Sequence, residues 1–152
     1  MIKELKYNDE IIPQVKVELT KDIMSFDGIE PGKCTNNSKL IVENNPKLEI
    51  IYVEGVVIHY YDENNFYADL HAWNKLNDYY FDPTLETLDA YMIKNEREDL
   101  ILKREYFPYR EIDVTDLEYN KDNSIVKFSN ESSGFMNAML NKYPNSKAKN
   151  KD

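Results

Sequence analysis

Leu70-His71-Ala72-Trp73-Asn74-Lys75-Leu76-Asn77-Asp78-Tyr79-Tyr80-Phe81-Asp82-Pro83-Thr84 is the stretch whose reading decides the fold. Two short apolar and aromatic runs flank Asn77-Asp78, a turn-forming pair. The pattern predicts a β-hairpin with strands over Phe66–Leu76 and Tyr79–Thr84. With a two-residue loop, Leu76 faces Tyr79, and counting inward sets Trp73 opposite Asp82 and His71 opposite Thr84. Side chains alternate across a strand, so His71, Trp73, Asp82 and Thr84 share one face. His71 and Asp82 are then diagonal neighbours, close enough for a carboxylate to orient an imidazole. Such a pair wants a third member, and the chain holds a single cysteine, Cys34.

Upstream of the hairpin, Asp27-Gly28 and Pro31-Gly32 punctuate a loop that runs straight into Cys34. Cys34–Glu43 reads as a helix stopped by Asn44-Asn45-Pro46, because a proline there cannot continue it. Cys34, Asn37, Ser38 and Ile41 fall on one face of that helix. Cys34 sits in the first turn, where free N–H groups and the helix dipole favour a thiolate. Lys33 is a poor N-cap by comparison with Ser, Thr, Asp or Asn. Leu48–His59 is rich in Ile, Val and Tyr and predicts a strand or strand pair, with Gly55 marking a bulge or a close backbone approach. Tyr60–Asn65 supplies a polar turn.

Further out, Met1–Tyr7 predicts a short strand, while Gln14–Phe26 mixes strand and helix periods and has no single reading. Leu85–Asn95 has helical spacing. Asp99–Tyr106 and Glu111–Val114 predict strands on either side of Phe107-Pro108, and Ser124–Phe128 predicts an edge strand. Asn130–Asn141 predicts a closing helix with Phe135, Met136, Met139 and Leu140 as its apolar stripe. The polar, lysine-rich end from Asn145 to Asp152 is expected to be disordered. The class is therefore α+β: a helix bearing Cys34 packed on an antiparallel sheet, with extra C-terminal helices, in one domain over residues 1–144.

A chain of 152 residues that is 41% hydrophobic can bury a core without metal or disulfide staples. No apolar run has the length of a membrane span, and the first residues lack the apolar centre of a signal peptide. One cysteine excludes an internal disulfide framework, so a reducing cytoplasm is the expected compartment. The formal net charge of −9 excludes broad nucleic-acid backbone binding, which needs a basic patch. His59 with Asp62, Glu63 and His71 matches no recognised metal-ligand spacing, so neither metal nor cofactor is expected.

Cys34, His71 and Asp82 together would suit acyl transfer. The imidazole takes the thiol proton, the carboxylate fixes the ring, and helix-start N–H groups hold an oxyanion. Gly32-Lys33-Cys34 at a helix start, followed by strands, His71-Ala72-Trp73 and Phe81-Asp82-Pro83-Thr84, resembles the transglutaminase-like branch of the papain-like cysteine enzymes. The resemblance covers about residues 32–84. It implies Cys34 as nucleophile, His71 as general base and acid, and Asp82 as orienter. Trp73 matches the aromatic often found two residues after the histidine, beside the active site. Asn37, one turn on from Cys34, is a further candidate polar contact to substrate. The chain departs from the family in two places: no glutamine stands out before Cys34, and Thr35-Asn36-Asn37 replaces more apolar residues.

The expected function is a cytosolic thiol enzyme that hydrolyses, deamidates or transfers an amide or related acyl bond of a protein or peptide-like substrate. The alternative is an acidic, non-catalytic binding or inhibitor protein on the same fold. Neither reading involves nucleic acid or a membrane.

Overall fold

Asn77 and Asp78 form a two-residue loop that sets Leu76 opposite Tyr79, Lys75 opposite Tyr80 and Asn74 opposite Phe81. Asn77 adopts φ 52°, a left-handed conformation that asparagine tolerates better than most residues. The computed structural model describes residues 2–4, 14–113, 134–137 and 147–150. Around the hairpin, the described chain builds β1 (Ile2–Glu4), β2 (Val17–Glu18), α1 (Cys34–Asn44), β3 (Ile51–Tyr60), β4 (Asn65–Leu76), β5 (Tyr79–Phe81), α2 (Pro83–Lys94), β6 (Lys103–Ile112) and β7 (Lys147–Asn150). The sheet runs β1-β6-β3-β4-β5-β2, with β7 also on β4. Pairing is antiparallel except for β2 with β5 and β7 with β4. The class is α+β.

The regular alternation of β3 and β4 gives the sheet two different faces. Tyr52, Ala72, Leu76, Phe81 and Ile112 pack beneath Ile41 and Val42 of α1. Farther along, Val56, Ile58, Phe66, Ala68 and Phe107 pack with Phe135, which lies in a helical turn over 134–137. On the opposite face Val53, Val57, Trp73 and Tyr106 form a third cluster, met by Val15, Val17 and Leu85. Burying roughly twenty large apolar side chains at about 1.5–3 kcal/mol each supplies the driving force for assembly.

Gly55 sits where the backbones crowd. A Cβ there would meet Phe107 O, with Pro108 Cα and Trp73 Cη2 each at 2.8 Å, so no larger residue fits. Both readings of this position hold: the approach is close, and the β3–β6 register shifts between Glu54 and Gly55. Arg110 pairs with Glu54 and Pro108 with Gly55, which makes Tyr109 of β6 the extra residue. The bulge also explains why β6 runs as one strand through Phe107-Pro108, where the sequence suggests two. A proline is tolerated where the ladder is already broken.

Three other expectations need correction, the first being the wholly antiparallel sheet, which the parallel pairs β2–β5 and β4–β7 make mixed. β5 ends at Phe81, and Thr84 lies in the first turn of α2, so it is not a strand residue opposite His71. Pro83 at the start of α2 explains the switch, since proline has no ladder N–H and its fixed φ suits the first helical position. Residues 147–150, expected to be disordered, pair in parallel with Asn65–Ala68 of β4. That half of β4 has a free edge on which a strand can form. Of Gln14–Phe26, only Val17 and Glu18 are a strand, with an isolated bridge from Val15 to Tyr106. The expected strand over Ser124–Phe128 and most of the closing helix lie outside the described residues.

Candidate active site

The two ends of β4 have neighbours on the same side, and its middle does not. β5 pairs with Asn74–Leu76 and β7 with Asn65–Ala68, so among the described residues 69–73 face no strand there. α1 begins at this gap. Gly32, at φ 75°, makes the sharp turn into it, and Asn37 N–H bonds to Lys33 O at 2.8 Å as the first helical turn closes. Lys33 offers no side-chain cap to the first-turn N–H groups. Cys34 shares the cleft with His71, and the His71 ring and the Ala72 N–H both act on its thiol.

His71 projects from the opposite face of β4 and is 7% exposed. Its Nε2 lies 2.8 Å from Asp82 Oδ2, which leaves Nδ1 for the thiol. The Asp82 carboxylate accepts two further bonds: Oδ2 also accepts the Tyr106 hydroxyl at 2.7 Å, and Oδ1 accepts Leu85 N–H at 3.1 Å. Asp82 is therefore the N-cap of α2 as well as the partner of the ring, held in extended backbone at φ −122°, ψ 94° before the proline.

Electrostatics follow from these contacts. Burial pushes the Cys34 thiol up, but the His71 hydrogen bond and charge, with the Ala72 N–H, outweigh it and leave the thiol below its ordinary 9.0. Burial alone would push His71 down; the charge and hydrogen bond of Asp82, then Cys34, bring it up to about 10. Asp82 is lowered, since His71, Leu85 N–H and the Tyr106 hydroxyl offset its desolvation. Tyr106 is raised, first by burial and then by Asp82, so it stays a hydroxyl donor. At neutral pH these directions favour a thiolate–imidazolium pair backed by a carboxylate.

The sulfur and ring open into a cleft of about 360 Å³. Its walls include Pro31, Gly32, Thr84, Leu85, His59 and Asp69. Trp73 and Asn37, both expected to touch substrate, do not line it. Trp73 is fully buried beneath the site, edge-on to Tyr106 with ring centroids 5.2 Å apart and 6.1 Å from the His71 ring. It is a floor for the histidine. Asn37 is fully buried and spends its amide on the chain. Its Oδ1 accepts Glu30 N–H at 2.9 Å, while Nδ2 donates to Glu30 O at 2.7 Å and to Thr84 Oγ1 at 2.8 Å. It fastens the loop before Cys34 and ties α1 to α2.

Tyr106 escapes the sequence reading because it reaches Asp82 from 24 residues away. Its place in a strand-like run is the only local signal. Asp62, weighed above as a metal ligand beside His59, instead accepts Asn64 and Asn65 N–H groups in the β3–β4 turn. Among the described residues no cluster of three or more His, Cys, Asp or Glu side chains is arranged to hold a metal ion, and no helix is long and apolar enough to cross a membrane. Set against protein-family models, curated proteins and solved structures, the chain matches none of them.

Proposed function

We propose that this protein is a cysteine-dependent enzyme of the transglutaminase-like kind, acting on an amide or related acyl bond through a thioester. The observation that carries the reading is that Cys34 and His71 line one cleft, with Asp82 bonded to the ring from behind at 2.8 Å. In this mechanism the Cys34 thiolate attacks the substrate carbonyl carbon, and the carbonyl electron pair moves to oxygen. First-turn N–H groups of α1, which Lys33 does not cap, stabilise that oxyanion. The oxyanion collapses, His71 gives its proton to the departing amine, and a thioester remains. Water or an amine, deprotonated by His71, then attacks the thioester and releases Cys34. Asp82, fixed by Leu85 N–H and Tyr106, keeps the ring in place and supports its charge.

Two measurements on the full chain test this. Iodoacetamide at pH 7 should alkylate Cys34 up to about 30-fold faster than an ordinary thiol, of which only about 3% is ionised. His71→Ala should remove most of that advantage. A p-nitrophenyl ester should leave an acyl group on Cys34, seen by intact mass, that turns over in wild type and persists in His71→Ala. Equal alkylation rates in the two proteins, or no acyl adduct, would sink the proposal.

A further inference from the structure

One wall of the cleft is unused by the relay. Asp69 lies two residues before His71 on the same face of β4, so its side chain starts about 7 Å along the strand from the ring's. Opposite this stretch, His59 pairs with Tyr67, and the two rings stack with centroids 4.5 Å apart and planes 11° from parallel. Tyr61 extends the row, 5.5 Å from Tyr67. His59 is 5% exposed and lines the cleft, yet its Nε2 makes no hydrogen bond. It lies 3.4 Å from Asp69 Oδ2, near enough for attraction but too poorly aligned for a bond. Arg104, the cation on this wall, is engaged by both oxygens of Asp89 at 2.6 and 2.8 Å. Among the described residues no lysine or arginine pairs with Asp69, whose side chain is 27% exposed.

We infer that this wall is a specificity subsite for a cationic group, such as an alkylammonium, carried by the substrate beside the acyl group that Cys34 attacks. The carboxylate supplies charge, and the Tyr67–His59 stack supplies aromatic surface for the cation. A buried imidazole nitrogen without a bond and a carboxylate that its neighbour only half satisfies are groups awaiting a ligand. The net charge of −9 would draw such a substrate in. The cation is read as a handle and takes no part in bond making. As a statement about substrate, the inference rests on the thiol chemistry proposed above.

The test uses two alkylating reagents on the full chain: iodoacetamide, and an iodoacetamide bearing a trimethylammonioethyl group on its amide nitrogen. A quaternary ammonium has no proton to donate and cannot act as an acyl acceptor, so it reports only on the handle. The ratio of the two Cys34 alkylation rates, corrected for each reagent's rate with a small thiol, should be about tenfold in favour of the cationic reagent. Asp69→Asn should bring the ratio near one and Asp69→Lys below one. Asp78→Asn, removing an exposed charge in the hairpin turn at the far end of β4, should leave it high. A ratio equal in wild type, Asp69→Asn and Asp69→Lys overturns the subsite, as does a ratio that falls as far in Asp78→Asn. The rate of iodoacetamide alone, and its response to His71→Ala, judges the relay separately. A high ratio on a sluggish Cys34 keeps the subsite as a binding site and removes the enzymatic reading.

Discussion

Two helices begin at the same cleft, and they begin in opposite ways. α2 starts with Asp82 accepting Leu85 N–H, with Pro83 next and Glu86 in the first turn. Each of these suits a helix N-terminus. α1 starts with Lys33, which makes no side-chain cap, and has no acidic residue in its first turn. A cap or an acid there would spend the N–H groups and the dipole on the protein itself; without them both remain for a thiolate or an oxyanion. The difference teaches that helix stability has been given up at one end of the cleft and concentrated at the other, where the carboxylate must not move.

The comparison breaks most severely at Asp82. Asp82→Ala removes the cap, the ring's partner and the Tyr106 acceptor together. It should lower unfolding free energy by about 2–4 kcal/mol, read from urea titration, and slow Cys34 alkylation by more than about tenfold. Asp82→Asn keeps a capping oxygen and should recover part of the stability while the thiol stays slow. If both variants were as stable as wild type, the double role of this residue would be wrong.

Asn37, which ties the two helix starts together, comes next. Asn37→Ala leaves Glu30 and Thr84 without their partner and should cost about 1–3 kcal/mol in the same titration. A change within a few tenths of a kcal/mol would mean that the tie carries no strain.

Titration sharpens the contrast without changing the fold. In a Cys34→Ala background, His71 still faces Asp82, whose charge raises its affinity for a proton in the folded state. A raised pKa contributes stability in full below the ordinary value of 6.5, and that contribution is lost as pH climbs through the raised value, which without Cys34 lies below the wild-type value of about 10. The Cys34→Ala protein should therefore lose stability over that range, and the Cys34→Ala, His71→Gln double variant should lose less. With Cys34 present, the alkylation rate should level off at a pH below 9.0, because the thiol is lowered.

The smallest effect is at Lys33. Lys33→Asp supplies the missing cap and should stabilise the protein by about 1 kcal/mol. It should also slow alkylation at neutral pH, because the new carboxylate competes for the N–H groups that favour the thiolate. A faster thiol in this variant would refute the account of α1.

How much of this was legible depends on the range of the interaction. The hairpin register follows from alternation around Asn77-Asp78, and α1 from its proline stop, because both signals lie within a few residues. Trp73 and Asn37 lie on the expected elements but outside the cleft wall, since sequence spacing does not say which side of a wall a side chain lines. Thr84 departs from its expected place because strand alternation stops before Pro83, where a helix begins. Tyr106 and the Tyr109 bulge owe their positions to strand pairing across tens of residues, whereas Asp69 shares His71's face by alternation and only the β3–β4 pairing sets it beside His59.

The joint duty of Asp82 has a consequence for molecules that are not fully folded. Should the first turn of α2 fray, in a nascent chain or a heated one, the carboxylate leaves and His71 loses its counter-charge. The sulfur then loses the charged ring that lowers its thiol. On the thiol chemistry proposed above, attack on carbonyls would thereby be confined to finished molecules.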